Sequence, residues 1–231
     1  RQTMRIAQVA PLAEAVPPGL YGGTERVVSW LTEELVKQSH QVTLFASGDS
    51  ETAASLVPSV ARGLRLAGIR DHTASTLVML DQVHRRANEF DIIHFHVDLL
   101  QFPLFQDLFQ KCVTTLHGRP DLPDFHPIYR AFPNMPLVSI SDNQRGPMPP
   151  ALNWMATIDH GLPATFAADM QAELINAYKE TTQSKSITLK PGDKIKLSQA
   201  KGTPAIHVRV LAANGSVLGE ESATPQIRPC G

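Results

Sequence analysis

The sequence predicts an α/β protein: a Rossmann-like, doubly wound parallel sheet followed by a small antiparallel β appendage. Three observations carry this expectation. Short apolar runs of strand length alternate with segments of helical period from Met4 to Ile158. Asp91 to Phe95 (DIIHF) is a nearly continuous apolar run, as a strand covered on both faces of a parallel sheet has to be. Beyond Pro163 the pattern changes to short stretches separated by Pro191-Gly192-Asp193 and Asn214-Gly215. Tight turns of that kind join antiparallel neighbours, whereas parallel strands need long crossovers.

The elements follow in order. Met4 to Ala10 (MRIAQVA) reads as the first strand. Val27, Leu31 and Leu35 recur at helical spacing with Val28 and Val36 beside them, so a helix is expected from about Glu25 to Ser39. Gln41 to Ala46 is a second strand, and residues 51–72, with Pro58, Gly63 and Gly68, read as irregular with short helical pieces. Ala74 to Glu89 fits a helix with Leu77, Leu80, Val83, His84 and Ala87 as its apolar stripe and Arg85 and Arg86 facing out. After the strand at Asp91–Phe95 come a short helix over Leu99–Phe109, a strand at Cys112–Leu116, a proline-rich loop with a short helix at His126–Ala131, a strand at Leu137–Ile140 and a last strand at Trp154–Ile158. Ser141-Asp142 suits a helix cap, and Pro147, Pro149 and Pro150 keep any helix there short.

The domains expected are residues 1–163 for the Rossmann-like unit, 164–185 for a linker or polar helix, and 186–231 for the β segment. In that last segment Ser186–Leu189, Lys194–Leu197, Ala205–Leu211 and Ser216–Glu220 read as strands.

The loop Tyr21-Gly22-Gly23-Thr24-Glu25-Arg26 lies between the first strand and the first helix. Helix N-termini have unpartnered N–H groups and partial positive charge, and glycine admits a ligand where a Cβ would block it. The loop therefore suits a phosphate or a sugar hydroxyl. It is neither G-x-G-x-x-G nor a P-loop, and by itself it also fits a plain strand-to-helix turn.

Composition narrows the classes. A net charge of −1 with scattered His, Arg and Lys gives no electrostatic footprint for nucleic acid. The two cysteines, Cys112 and Cys230, form neither a disulfide framework nor a zinc pattern, so a reduced cytoplasmic setting is the simpler expectation. No apolar run reaches the length of a membrane span, and Arg1-Gln2-Thr3 leads directly into a strand without the pattern of a signal peptide. No Gly-x-Ser-x-Gly elbow or paired-carboxylate motif argues for a hydrolase.

Met4-Arg5-Ile6-Ala7, the loop Pro18-Gly19-Leu20-Tyr21-Gly22-Gly23-Thr24-Glu25, His117-Gly118 after a strand, and Asp159-His160-Gly161-Leu162-Pro163 occur in this order. Their order resembles the N-terminal, acceptor-side half of a family-four, GT-B-type glycosyltransferase, over about residues 4–163. The resemblance implies transfer of a sugar from a nucleotide-sugar donor to a hydroxyl acceptor (small molecule, glycan or lipid-linked), with no cofactor and no metal. It implies Gly22, Gly23 and Thr24 at the donor diphosphate and His117 beside the reacting sugar. His96, Asp98, Gly118 and Arg119 are expected to face the acceptor. Lipid-linked acceptors in the family leave peripheral membrane contact open. The donor-binding domain of that family is not recognisable after Pro163, so the chain is expected to be truncated and inactive alone.

Each candidate also has a structural reading. A histidine at position 117 can be satisfied by loop backbone. His94, His96 and Asp98 alternate and would share one strand face if the strand extended that far, which would offer ligands to a metal. A central parallel strand seldom presents three such groups to a packed helix layer, so His94 is expected as a satisfied core histidine and His96 and Asp98 at the cleft edge. Arg119, Asp121 and Asp124 suit a solvated loop. The rival function is a non-catalytic sugar- or phosphate-binding module.

Overall fold

The computed structural model describes residues 2–19, 21–161, 206–211 and 217–223 of the chain. The chain divides into two compact units, Arg1–Ala172 and Glu173–Gly231.

The first unit is a seven-stranded sheet in which every pairing is parallel. Its strands are β1 (Arg5–Val9), β2 (Gln41–Ser47), β3 (Ser55–Val60), β4 (Ile92–Phe95), β5 (Cys112–Thr115), β6 (Leu137–Ser139) and β7 (Trp154–Thr157), in the order β3-β2-β1-β4-β5-β6-β7. The chain winds outward from β1 through β2 to β3, then returns to the other side of β1 with β4. The reversal falls between β1 and β4, which is where an open parallel sheet leaves a crevice at its carboxyl edge. The expected Rossmann-like sheet is therefore present.

The larger core lies on the face covered by α2 (Thr73–Arg85), α3 (Phe102–Phe105) and α4 (His126–Ala131). Phe45, Phe95, Phe102 and Phe105 are fully buried there, and Phe95 meets Phe105 edge-on with centroids 4.8 Å apart. Each such ring contributes about 1.5–3 kcal/mol through burial, with edge-to-face packing adding a fraction more. A smaller cluster of Ala10, Val16, Val28, Leu44 and Ala46 packs under α1 (Gly23–Lys37) on the other face.

Three expectations need correction. Residues 51–72 contain β3, a parallel strand, where irregular chain was expected. Pro58 misled the reading; β3 is the edge strand, where a missing donor is tolerated. The buried stripe of α2 is Thr76, Met79, Leu80 and Val83, continued by Ala87 past the helix end, while Leu77 and His84 are exposed. Arg86 does not simply face out, since its guanidinium lies 5.5 Å from the Phe45 ring centroid. In α1 the buried set is Glu25, Val28, Ser29 and Thr32, and the more hydrophobic Val27, Leu31 and Leu35 are only half-buried.

The helix expected at Leu99–Phe109 is a single α turn, α3, continued by a 3-10 segment to Lys111, with Pro103 in its first turn as predicted. Ser141 caps the short α5 (Asp142–Arg145) by accepting a hydrogen bond from the Gln144 backbone N–H at 3.3 Å. In the second unit β8 (Ile206–Leu211) and β9 (Val217–Ala223) pair antiparallel, as expected for those two strands. The boundary at Pro163, the segment 164–185, the strands at 186–189 and 194–197, both turns and Cys230 lie outside the described residues. Among the described residues no helix is long and apolar enough to cross a membrane.

Candidate functional site

The loops after β1, β4 and β5 open on one cleft of about 560 Å³ at the carboxyl edge of the sheet. Gly22, Gly23, Thr24, His96, Asp98, His117 and Gly118 all line it, so seven of the eight sequence candidates converge. Arg119 does not. It turns away to pair with Asp121, Nε to Oδ1 at 2.8 Å and Nη2 to Oδ2 at 2.9 Å, and borders a side pocket of about 250 Å³ that shares Asp98 with the cleft.

The glycine loop has two different residues in it. Gly22 is buried, and a Cβ there would sit 2.7 Å from Pro18 Cβ and 3.0 Å from Glu25 Oε2. Gly23 is exposed, and a Cβ there would meet nothing within 4 Å. The first glycine lets the chain pack; the second keeps the start of α1 open. No side chain caps that helix end.

Beneath the loop lies an acidic floor that the sequence reading missed. Glu14 and Glu25 are both buried, and Glu14 Oε1 accepts from Arg65 Nη1 at 2.9 Å. Burial pushes the Glu25 carboxyl above its ordinary range; its own backbone N–H and Arg65 pull the other way, and Glu14 adds to the rise. The same Arg65 lies over the Tyr21 ring at 5.6 Å, which ties the floor to the glycine loop.

β4 ends at Phe95, and Asp98 takes a left-handed backbone with φ of 58°, so His94, His96 and Asp98 do not share a strand face. Asp98 is exposed at the cleft wall, yet the surrounding protein removes enough water to raise its carboxyl pKa. Backbone N–H groups of Gly118 and His117 oppose that rise by hydrogen bonding to the carboxylate.

The histidines form one line. Gln8 pairs in register with His94 across β1 and β4, so their side chains leave the same face of the sheet, and the pleat brings His96 to that face as well. His94 Nε2 is 2.8 Å from Thr115 Oγ1, and its Nδ1 is 3.5 Å from Gln8 Nε2. His96 Nε2 is 2.7 Å from Gln8 Oε1, and its Nδ1 is 2.8 Å from His117 Nε2. His117 Nδ1 is 3.1 Å from His160 Nε2, and those two rings stack with centroids 5.0 Å apart. Burial holds the line neutral: it lowers His94 to about 4, His117 to about 3 and His96 well below the ordinary value, and it lowers the exposed His160 as well.

His94 is thus partnered as expected, but it lines a second space, an apolar groove of about 770 Å³ between α1 and the sheet. The half-buried Val27, Leu31 and Leu35 line the same groove. His96, His117 and His160 border both the groove and the cleft. Among the described residues no group of three or more His, Cys, Asp or Glu is arranged to hold a metal.

Gln8 and His160 had readable signals. Gln8 is a polar residue inside an apolar strand, and His160 sits in the Asp159-His160-Gly161 motif. Arg65 and Glu14 had none, since they meet only through the fold.

A parallel α/β sheet with a polar cleft at its switch point defines a domain of the Rossmann-like class. Residues 21–142 match the model of glycosyltransferase family 4. The chain belongs to that family. Among solved structures it is similar to AviGT4, a glycosyltransferase involved in avilamycin A biosynthesis, at 17% identity and a TM-score of 0.43, covering 72% of this chain and 45% of that one. It is also similar to an α-glucosyltransferase in complex with UDP and a 13-mer DNA, at 14% identity and a TM-score of 0.38, covering 68% of this chain and 42% of that one. The chain spans less than half the length of either structure. No relative was found among curated proteins.

Proposed function

We propose that this chain provides the acceptor-side wall of a glycosyltransferase that moves a sugar from a nucleotide-sugar donor to a hydroxyl acceptor. One observation carries the reading: Gly22, Gly23, Thr24, His96, Asp98, His117 and Gly118 meet in one cleft, in a chain of family 4. In this reading the open start of α1 at Gly23 and Thr24 faces the donor diphosphate, where unpartnered N–H groups stabilise the charge that grows on the leaving group. His117 lies beside the transferred sugar; both its ring nitrogens are engaged by His96 and His160, so it meets a sugar hydroxyl through the outer ring, His160. Asp98 faces the acceptor: a carboxylate with a raised pKa in a concave wall is a better base toward a hydroxyl than one at its ordinary value. Gly118 lets the acceptor approach the backbone, and Arg119 takes part only if it leaves Asp121.

The chain alone is expected to turn over slowly or not at all, because the described residues form one wall of a cleft whose chemistry needs both reactants oriented. Calorimetry with UDP- and GDP-linked sugars, set against the corresponding free sugars, tests the reading. Binding of the nucleotide sugars, weakened by His117→Ala, supports it. Binding of free sugars alone assigns the cleft to a non-catalytic sugar-binding module.

A further inference from the structure

The line of imidazoles through the cleft has a direction, and the direction is set at its buried end. An amide oxygen only accepts, so the 2.7 Å contact between Gln8 Oε1 and His96 Nε2 requires the proton to be on His96 Nε2. A neutral imidazole carries one proton, so His96 Nδ1 is then an acceptor, and His117 Nε2–H donates to it at 2.8 Å. His117 Nδ1 is in turn an acceptor, and His160 Nε2–H donates to it at 3.1 Å. On the inner side the Gln8 amide N–H points at His94 Nδ1, which leaves His94 Nε2–H to donate to Thr115 Oγ1 at 2.8 Å. Every donor in the line points inward from the cleft, and each choice of tautomer fixes the next.

We propose that Gln8, His96 and His160 are positioning residues for His117: together they hold it as the Nε2–H tautomer and leave His160 Nδ1 as the hydrogen-bond acceptor that the line presents to a ligand hydroxyl. The significance for transfer rests on the reading of His117 given above; the tautomer assignment does not. A line of this kind needs every ring neutral, and burial of His94, His96 and His117 supplies that condition. Among the described residues Asp159 is the charged group whose field raises the affinity of His160 for a proton, and partial loss of water around the ring outweighs it. The line also has a single point of reversal. Were the Gln8 amide turned over, its N–H would face His96 Nε2, every tautomer would invert, and the cleft would meet a donor in place of an acceptor. The orientation of the Gln8 amide between His94 and His96 thereby decides what a sugar hydroxyl finds more than two side chains away.

The test is histidine tautomer assignment by long-range ¹H–¹⁵N correlation on the uniformly labelled chain near neutral pH, with no sugar present. His96, His117 and His160 are expected each to show one dominant form with the proton on Nε2. Gln8→Met, which keeps the volume but removes the acceptor, should abolish that single pattern and give His96 and His117 comparable populations of both forms. A wild-type spectrum with His117 protonated on Nδ1 overturns the proposal, and so does an unchanged His117 pattern in a folded Gln8→Met variant. If that variant does not fold, the wild-type spectrum decides. Nucleotide-sugar binding is measured separately, so a failure of the donor reading leaves the tautomer result standing, and the reverse also holds.

Discussion

Replacing each glycine of the loop by alanine separates what the loop does for folding from what it does for a ligand. At Gly22 the new methyl would lie 2.7 Å from Pro18 Cβ and 3.0 Å from both Pro18 Cγ and Glu25 Oε2. Carbon atoms are at ease at about 3.5–4.0 Å, so Pro18 or the start of α1 must shift by roughly 1 Å. Pro18 is buried and its ring has no rotamer to escape into. Overpacking of this kind costs about 1–3 kcal/mol. In a unit of this size each kcal/mol lowers the melting temperature by about 2–4 °C, so Gly22→Ala should melt roughly 2–12 °C lower. At Gly23 the methyl meets nothing within 4 Å and the backbone is not left-handed, so Gly23→Ala should be neutral or up to about 1 kcal/mol more stable. If the open start of α1 receives the donor diphosphate, that methyl occupies its approach, and affinity for a nucleotide sugar should fall at least about tenfold, or ~1.4 kcal/mol. Thermal melts and calorimetric titration of the two variants make the comparison. Equal melting shifts in both would refute the packing account of Gly22. Undiminished nucleotide-sugar binding in Gly23→Ala would refute the placement of the diphosphate.

Three further outcomes follow from the charges and the thiol. The raised pKa of Glu25 means that the folded chain binds this proton more tightly than the unfolded one. Stability is then lost as pH rises above about 4.5, the ordinary glutamate value, through the folded pKa, so Glu25→Gln should raise the melting temperature at pH 7 and lose that advantage in acid. A gain that persists unchanged below pH 4.5 would count against burial as the cause. Asp91 behaves in the opposite sense: its hydrogen bonds to the Arg5 side chain and backbone N–H pull it down to about 2. Its contribution is present above about 3.8 and fades as pH falls toward about 2, so Asp91→Asn should lower the melting temperature at neutrality, only slightly because the exposed pair is solvent-screened, and lose that difference as pH falls toward about 2. Cys112 is buried with its thiol pushed up to about 12, which leaves about a thousandfold less thiolate than an unperturbed thiol at the same pH. In a Cys230→Ser background a thiol reagent should label the native chain at least a hundredfold more slowly than the denatured chain, and comparable rates would overturn the placement of Cys112.

What was legible in the sequence, and what was not, divides by the range of the interactions involved. The strand at Asp91–Phe95 announced itself because burial on both faces leaves little room for polar residues, and the Ser141 cap because a hydroxyl three residues ahead of an N–H is a local arrangement. The convergence of the loops after β1, β4 and β5 was also foreseeable, since a parallel sheet puts all its carboxyl ends on one edge. Failures came where a residue's surroundings depend on distant chain. Pro58 breaks strands in general, and only its place at the sheet edge makes it harmless. Leu31 and Leu35 are more hydrophobic than Ser29 and Thr32, yet the latter are the buried pair, because α1 lies over the sheet with its more apolar side turned along the groove. The histidines show the same limit most clearly. Alternation in β4 correctly put His94 and His96 on one face, but it said nothing of Gln8 on the neighbouring strand or of His160 forty-three residues after His117. A sequence names the imidazoles; the sheet register chooses their partners, and through those partners the proton each one carries.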